Sequence, residues 1–255
     1  MKSKHKNPCY YCGAQACSNE HAPPKQMFKG FPCDSITAPS CDEHNSEKSG
    51  DDQAIVSAFL IPLHNRLEQY GQDEHSLEAN IVKAIDVAKP SFVRAKRKAT
   101  SRPLLSAPPK VLSDLPDVSY LVPSVDLRAW VRQLTAALVF DGTLAFDPTI
   151  IWNEAIAWSP DWIWETERPA SGEDAILLFE KKGEIKAQLE QFSWQDGWSA
   201  HPRAYPPDIY EFWLCIEPEP QEVIFKHKFY NRYTWYVWFS ASQETVLKLS
   251  NKVVS

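Results

Sequence analysis

Glycine is scarce in this chain, with eight residues in 255, and none of them are grouped into the glycine-rich loop that cradles a nucleotide phosphate. Long apolar runs are missing too. No stretch approaches the eighteen or so residues of a membrane span, and the opening MKSKHKNPC has no apolar segment of the kind that directs secretion. These absences lead us to expect a cytoplasmic protein with no membrane partner. There is no internal repeat. Nor is there a basic surplus: 27 Lys and Arg stand against 33 Asp and Glu, a net charge of −6. That balance excludes a protein that coats nucleic acid through bulk electrostatics and leaves only local basic stretches to grip one. Two such stretches exist, Lys2, Lys4 and Lys6 at the start, and Lys89, Arg94, Lys96, Arg97, Lys98 and Arg102 in a run without an acid.

Against this background the first fifty residues stand out. Four of the six cysteines fall within the first thirty-three positions, which in an intracellular chain favours metal over disulfides. Cys9 and Cys12, in CYYCG, present two thiols at the knuckle spacing that suits tetrahedral zinc, and Cys41 with His44 repeats that spacing with an imidazole in the fourth place. Cys33 is the substitute if His44 is not a ligand, and Cys215, between Leu214 and Ile216, is expected to be a buried apolar residue. Between the two pairs lies Glu20–His21, and Asn45 follows the second pair directly. The chemistry of these residues suits phosphodiester hydrolysis. Imidazole has an unperturbed pKa near neutrality and can take a proton from water, so His21 qualifies as a general base. The Glu20 carboxylate and Asn45 amide are hard oxygen donors fit for magnesium or manganese. Zinc then serves as a staple, because a fold of fewer than about 50 residues buries too little surface to stand alone.

Residues 7 to 53 resemble the zinc-bearing branch of the HNH endonuclease family, on CYYCG, the NEHAPPK run at Asn19–Lys25, and PSCDEHNSEKSGDD at Pro39–Asp52. The resemblance implies a ββα-metal fold with Cys9, Cys12, Cys41 and His44 on a structural zinc. His21 would be the general base, and Glu20 and Asn45 would be ligands of a catalytic Mg2+ or Mn2+. His44 stands where a thiolate is expected, Glu20 where Asp is commoner, and Asp34 where the family's middle Asn helps to hold the catalytic loop. It also implies nucleic acid as partner, DNA before RNA, with Lys25 closing the Pro–Pro–Lys run and Lys48 about one helical turn after Asn45 as phosphate contacts; for Lys48 a solvated side chain is the competing reading.

Beyond the motif, apolar spacing predicts a helix from Asn45 to Leu60 that Pro62 ends or kinks, and a second from Ser76 to Ala88 stopped by Pro90. Residues 91–109 read as a connector in which Lys96, Arg97 and Lys98 either hold a nucleic-acid backbone or are merely solvated. From Val111 the chain is aromatic-rich, with all ten tryptophans between Trp130 and Trp238. A helix capped by Ser124 should run to about Phe140, and strands are expected at Ala175–Phe179, Ile209–Ile216, Glu222–Phe229 and Tyr233–Ser240, the last two joined by a hairpin at Tyr230–Arg232. Trp235, Tyr236, Trp238 and Phe239 either form a stacking platform or are covered on both faces, the second being the expectation. His64, His75, His201 and His227 are expected at the surface. The fold class is therefore α+β: a nuclease module over 1–60, a helical and basic connector over 61–110, and an antiparallel-sheet domain over 111–255 with no catalytic constellation of its own. The reading is a metal-dependent endonuclease, with a defence or mobile-element role by association only. The competing reading is a non-catalytic zinc module for nucleic-acid or protein binding.

Overall fold

The computed structural model describes residues 7–33, 35–45, 49–70, 79–99, 126–161, 172–197, 205–206, 208–217 and 221–254; within its helices the side chains at 49–51, 65–70, 93–99, 172–176 and 179 are outside that set. Asp34, Lys48, His75, Ser124 and His201 therefore lie outside the described residues, as do the side chains of Lys96, Arg97 and Lys98. The chain begins with an antiparallel hairpin, β1 (Ser18–Ala22) and β2 (Ile36–Ser40), followed by a one-turn helix α1 (Asp42–Asn45) and the long helices α2 (Ser49–Tyr70) and α3 (Ala79–Ala99). Helix α4 (Leu127–Thr143) leads into a five-stranded antiparallel sheet of order β3-β7-β6-β5-β4, built from β3 (Ile156–Trp158), β4 (Gln195–Asp196), β5 (Tyr210–Glu217), β6 (Glu222–Phe229) and β7 (Tyr233–Ser240). Helices α5 (Gly172–Leu189) and α6 (Gln243–Val254) complete the described elements. The architecture is thus mixed helix and antiparallel sheet, and no described helix is long and apolar enough to cross a membrane.

Pro62, expected to end or kink its helix, and Pro90, expected to stop one, both lie inside helices. Pro62 sits within α2 and Pro90 within α3. A proline costs its helix one hydrogen bond and a steric clash, but that penalty is local. Around Pro62, Phe59, Leu60, Ile61 and Leu63 are all buried, so packing carries the helix through the break. The same holds at Pro90 with Ile81, Ala84, Ile85 and Phe92, and the first part of the expected connector is in consequence helical. Helix α4 starts two residues later than expected, capped by Asp126 and not Ser124; the Asp126 Oδ1 accepts from the amides of Arg128 (2.9 Å) and Ala129 (3.1 Å). It passes through Asp141–Gly142 and ends at Leu144, which takes the left-handed conformation and donates its amide to Phe140 O. Ala175–Phe179 is part of helix α5, not a strand. An apolar run of five residues fits either state, and here the longer charged sequence after it continues the helix.

The three long strands fall where alternation placed them, and Tyr230 and Asn231 both adopt positive φ to close the β6–β7 hairpin. One face of this sheet is the core. Tyr210, Phe229 and Tyr233 lie in one cross-strand row, Phe212, His227 and Trp235 in the next, and Leu214, Phe225 and Val237 in a third, all buried. Helix α2 inserts Phe59 at the edge of this face, stacked on Phe229 at 5.0 Å and tilted against Tyr233 at 5.2 Å. Helix α4 packs on β3 and β7 and also on β1 and β2. A single hydrophobic cluster therefore runs from Cys9 and Ile36 through Phe59 and Trp130 to Phe229 and Leu249. On the other face, Tyr236 is buried while Trp213 and Trp238 are half-buried, in keeping with strands covered on both sides. Cys215 is buried, as expected, and His64 is half-buried with its ring 5.6 Å from Phe92.

His227 is not at the surface. It is fully buried in the middle row, with Nε2 2.9 Å from Thr135 Oγ1 and Nδ1 2.9 Å from Tyr210 Oη. Thr135 already donates its hydroxyl proton to Val131 O (2.8 Å), so it accepts from a protonated Nε2, and Nδ1 accepts from Tyr210. The network is complete only for the neutral ring, and burial holds the imidazole down to a pKa of about 3. Its folded value is below the unfolded value, so its contribution is full above about pH 6.5 and is lost as the pH falls from there toward 3. Between pH 7 and pH 5 the wild type should lose about 2 kcal/mol more stability than His227→Gln, read from urea midpoints; equal losses would mean the ring is not held neutral.

Candidate metal centre and adjoining motif residues

The first knuckle is a tight turn held by its own backbone. Cys9 N donates to Ala14 O (2.7 Å) and Gly13 N to Cys9 O (3.0 Å). Gly13 has φ +72°, and a Cβ there would come within 2.6 Å of the Phe146 ring, so glycine is required both by conformation and by the close approach of the later chain. The second knuckle is made where β2 ends, with Cys41 just before α1 and His44 in its single turn. Tyr10 N donates to Pro39 O (2.8 Å) and Cys17 N to Ser40 O (2.9 Å), and these bonds lay the first knuckle against the end of β2.

As a result Cys9, Cys12, Cys41 and His44 bring one ligand atom each to within 4.8 Å of all the others. Cys12 Sγ and Cys41 Sγ are 3.8 Å apart, Cys9 Sγ and His44 Nδ1 3.9 Å, and Cys41 Sγ and His44 Nδ1 3.1 Å. A tetrahedron of about 2.3 Å Zn–S bonds has S–S edges of about 3.8 Å, so the set is compatible with a structural zinc. Its electrostatics agree. Burial raises the Cys9 thiol, but hydrogen bonds from His44 and from the backbone at Cys12, Tyr11 and Cys41 bring it down to about 6. Cys41 is pushed up to about 11, first by burial and then by the charge on Cys9, and Cys12 is raised by burial and the same charge. Packed thiols oppose one another's ionisation; a dication among them removes that opposition. Cys33 is not in the set and lies 3.7 Å from Ser35 Oγ, while Cys17 Sγ donates to Asp42 Oδ1 (3.1 Å).

The centre is walled by residues from elsewhere. The Tyr11 ring lies 4.7 Å from that of His44 and stacks on Trp152 at 6.2 Å, and its hydroxyl donates to Asn153 Oδ1 (3.3 Å). At the other end of the hairpin, Tyr205 donates to Ala22 O (2.7 Å) and accepts from Ile36 N (3.5 Å), tying the two strands together. Nothing in the local pattern around Trp152 or Tyr205 signals these roles. Tyr10 and Tyr11, by contrast, lie inside the CYYC knuckle itself.

Strand β1 carries Glu20, opposite Ala38, and His21, opposite Thr37. Side chains alternate along a strand, so Ser18, Glu20 and Ala22 share one face of the hairpin while Asn19 and His21 share the other. Glu20 is buried and accepts a 2.5 Å bond from Tyr10 Oη; His21 is half-buried. Asn45, last residue of α1, donates its Nδ2 to Ser18 Oγ (2.7 Å) and Asn19 O (3.3 Å). This amide is therefore fastened to the start of β1 with its nitrogen committed, which leaves Oδ1 as its acceptor, and Ser18 stands on the face that Glu20 occupies. A carboxylate and an amide carbonyl are the donor types that a magnesium- or manganese-type ion takes. Lys25 is exposed at the start of a 3-10 turn, Lys25–Phe28. Beyond it, Lys83 Nζ lies 4.5 Å from the Phe31 ring centroid, and a Cβ on Gly30 would meet Val87 at 3.1 Å. Helix α3, which carries Lys96, Arg97 and Lys98 in its last turn, is in this way packed against the segment between the Glu20–His21 strand and β2.

No family model matches the chain, and neither a curated protein nor a solved structure matches it.

Proposed function

We propose that the protein is a metal-dependent endonuclease of HNH type that hydrolyses phosphodiester bonds of nucleic acid, DNA before RNA. The observation that carries this reading is the bonding of Asn45 to Ser18 and Asn19. It ties the helix after the second knuckle to the strand bearing Glu20 and His21, so that base and ligand candidates belong to one hairpin-and-helix unit stapled by the Cys3His cluster. In this reading His21 removes a proton from water and the resulting hydroxide attacks phosphorus. Glu20 and Asn45 hold a divalent ion, which when bound neutralises charge on the phosphate and on the departing 3′ oxygen. In the same reading Lys25, Lys48, Lys96, Arg97 and Lys98 hold the backbone as local basic residues of an acidic chain.

One observation favours a second reading. Glu20 is buried, bonded to Tyr10 and on the face opposite His21, which suits a zinc-bound scaffold that binds nucleic acid or protein without cutting. Incubating the purified protein with plasmid DNA and with structured RNA, each with magnesium, manganese or EDTA, separates the two. The expected result is cleavage of plasmid that needs Mg2+ or Mn2+ and stops in EDTA. Intact substrates under every condition would leave the non-catalytic zinc module.

A further inference from the structure

Tyr10 lies between the first two zinc-ligand candidates and touches both strands of the hairpin. Its amide donates to Pro39 O of β2 at 2.8 Å, and its hydroxyl donates to the Glu20 carboxylate of β1 at 2.5 Å. Both side chains are buried, Tyr10 to 2 % and Glu20 to 7 % relative exposure. A carboxylate withdrawn from water to that degree needs a donor, and an O–H to a charged oxygen is among the stronger and more directional hydrogen bonds available. The phenol supplies that donor, its O–H directed at the Glu20 carboxylate where both groups are buried. The conformation of Tyr10 is in turn set by the knuckle, whose two ends are Cys9 and Cys12.

We infer that Tyr10 is a positioning residue: it aims the Glu20 carboxylate at the divalent ion and ties that aim to closure of the Cys9–Cys12 knuckle. This rests on the nuclease reading, in which Glu20 is a ligand. It assigns to the zinc staple a second task beyond holding the fold, because the knuckle that closes on zinc also orients a ligand of the other ion. Partners that orient a metal ligand from behind are worth about ten- to a hundredfold in affinity when removed.

The test is Mn2+ affinity, measured by electron paramagnetic resonance on the full-length, zinc-loaded chain, for wild type, Tyr10→Phe, Glu20→Gln and the double variant. Tyr10→Phe should keep one zinc per chain, since the ring and the ligands are untouched, and should raise the Mn2+ dissociation constant about tenfold. Glu20→Gln should raise it as well, and adding Tyr10→Phe to Glu20→Gln should then change little, because the hydroxyl acts only through the carboxylate. The double variant also keeps the experiment informative if Tyr10→Phe alone folds poorly, as its neutral amide removes the unpaired buried charge. Unchanged Mn2+ affinity in Tyr10→Phe, or losses that add in the double variant, overturns the inference and leaves the nuclease reading standing. A wild type that binds no Mn2+ overturns both.

Discussion

Replacing His21 with alanine is expected to lower plasmid cleavage by about a hundredfold or more, the usual range for a lost general base, with zinc content and thermal midpoint unchanged. The expectation comes from position. His21 is next to last in β1, half-buried, and by strand alternation on the face opposite Ser18, the residue that holds Asn45. Removing the imidazole therefore touches neither the proposed staple nor the proposed ion ligands, and the loss should be confined to the rate with saturating metal. Asn45→Ala should behave differently: it deletes an oxygen donor and the bonds to Ser18 and Asn19, so the magnesium concentration for half-maximal rate should rise. A His21→Ala protein as active as wild type would remove the nuclease assignment.

Replacing Cys12 with serine is expected to release zinc and to lower the midpoint of a single unfolding transition by about 10 °C or more. Structural zinc contributes on the order of 10 kcal/mol in small zinc domains, comparable with the whole stability of an ordinary domain. If only about 5 kcal/mol of it is lost here, each kcal/mol moves the midpoint of a chain this size by about 2–4 °C. A sequence divided into a nuclease module, a connector and a sheet domain suggests two separate transitions. The packing argues for one: Tyr11 stacks on Trp152, Gly13 abuts Phe146, Tyr205 ties β1 to β2, and Phe59 of α2 is seated on Phe229. Calorimetry distinguishes them. Full zinc occupancy in Cys12→Ser by elemental analysis would show that this thiol is not a ligand, and an unshifted upper transition would show that the sheet folds by itself.

What could be read directly from the residues was whatever a few neighbouring positions control. Cys9 with Cys12, and Cys41 with His44, are each three residues apart, and a chain so short can close on one ion in only a few ways; the four ligand atoms do converge. The strands at 210–217, 222–229 and 233–240 show themselves by alternation for the same reason, since one side of each had to be apolar. Tertiary structure decided what depends on partners far along the chain. Pro62 and Pro90 ended no helix because buried side chains on both sides outweighed a local penalty. Residues 175–179 became helical by continuity with the charged stretch up to Leu189, and His227 became a neutral core residue because Thr135 and Tyr210, 92 and 17 positions away, complete its hydrogen bonds. The Tyr10–Glu20 bond belongs here too. Each residue is legible alone, as a knuckle aromatic and as an acid beside a histidine, but their meeting required the knuckle to fold back onto the hairpin, and burial of that kind is a sum over distant contacts that no local spacing encodes.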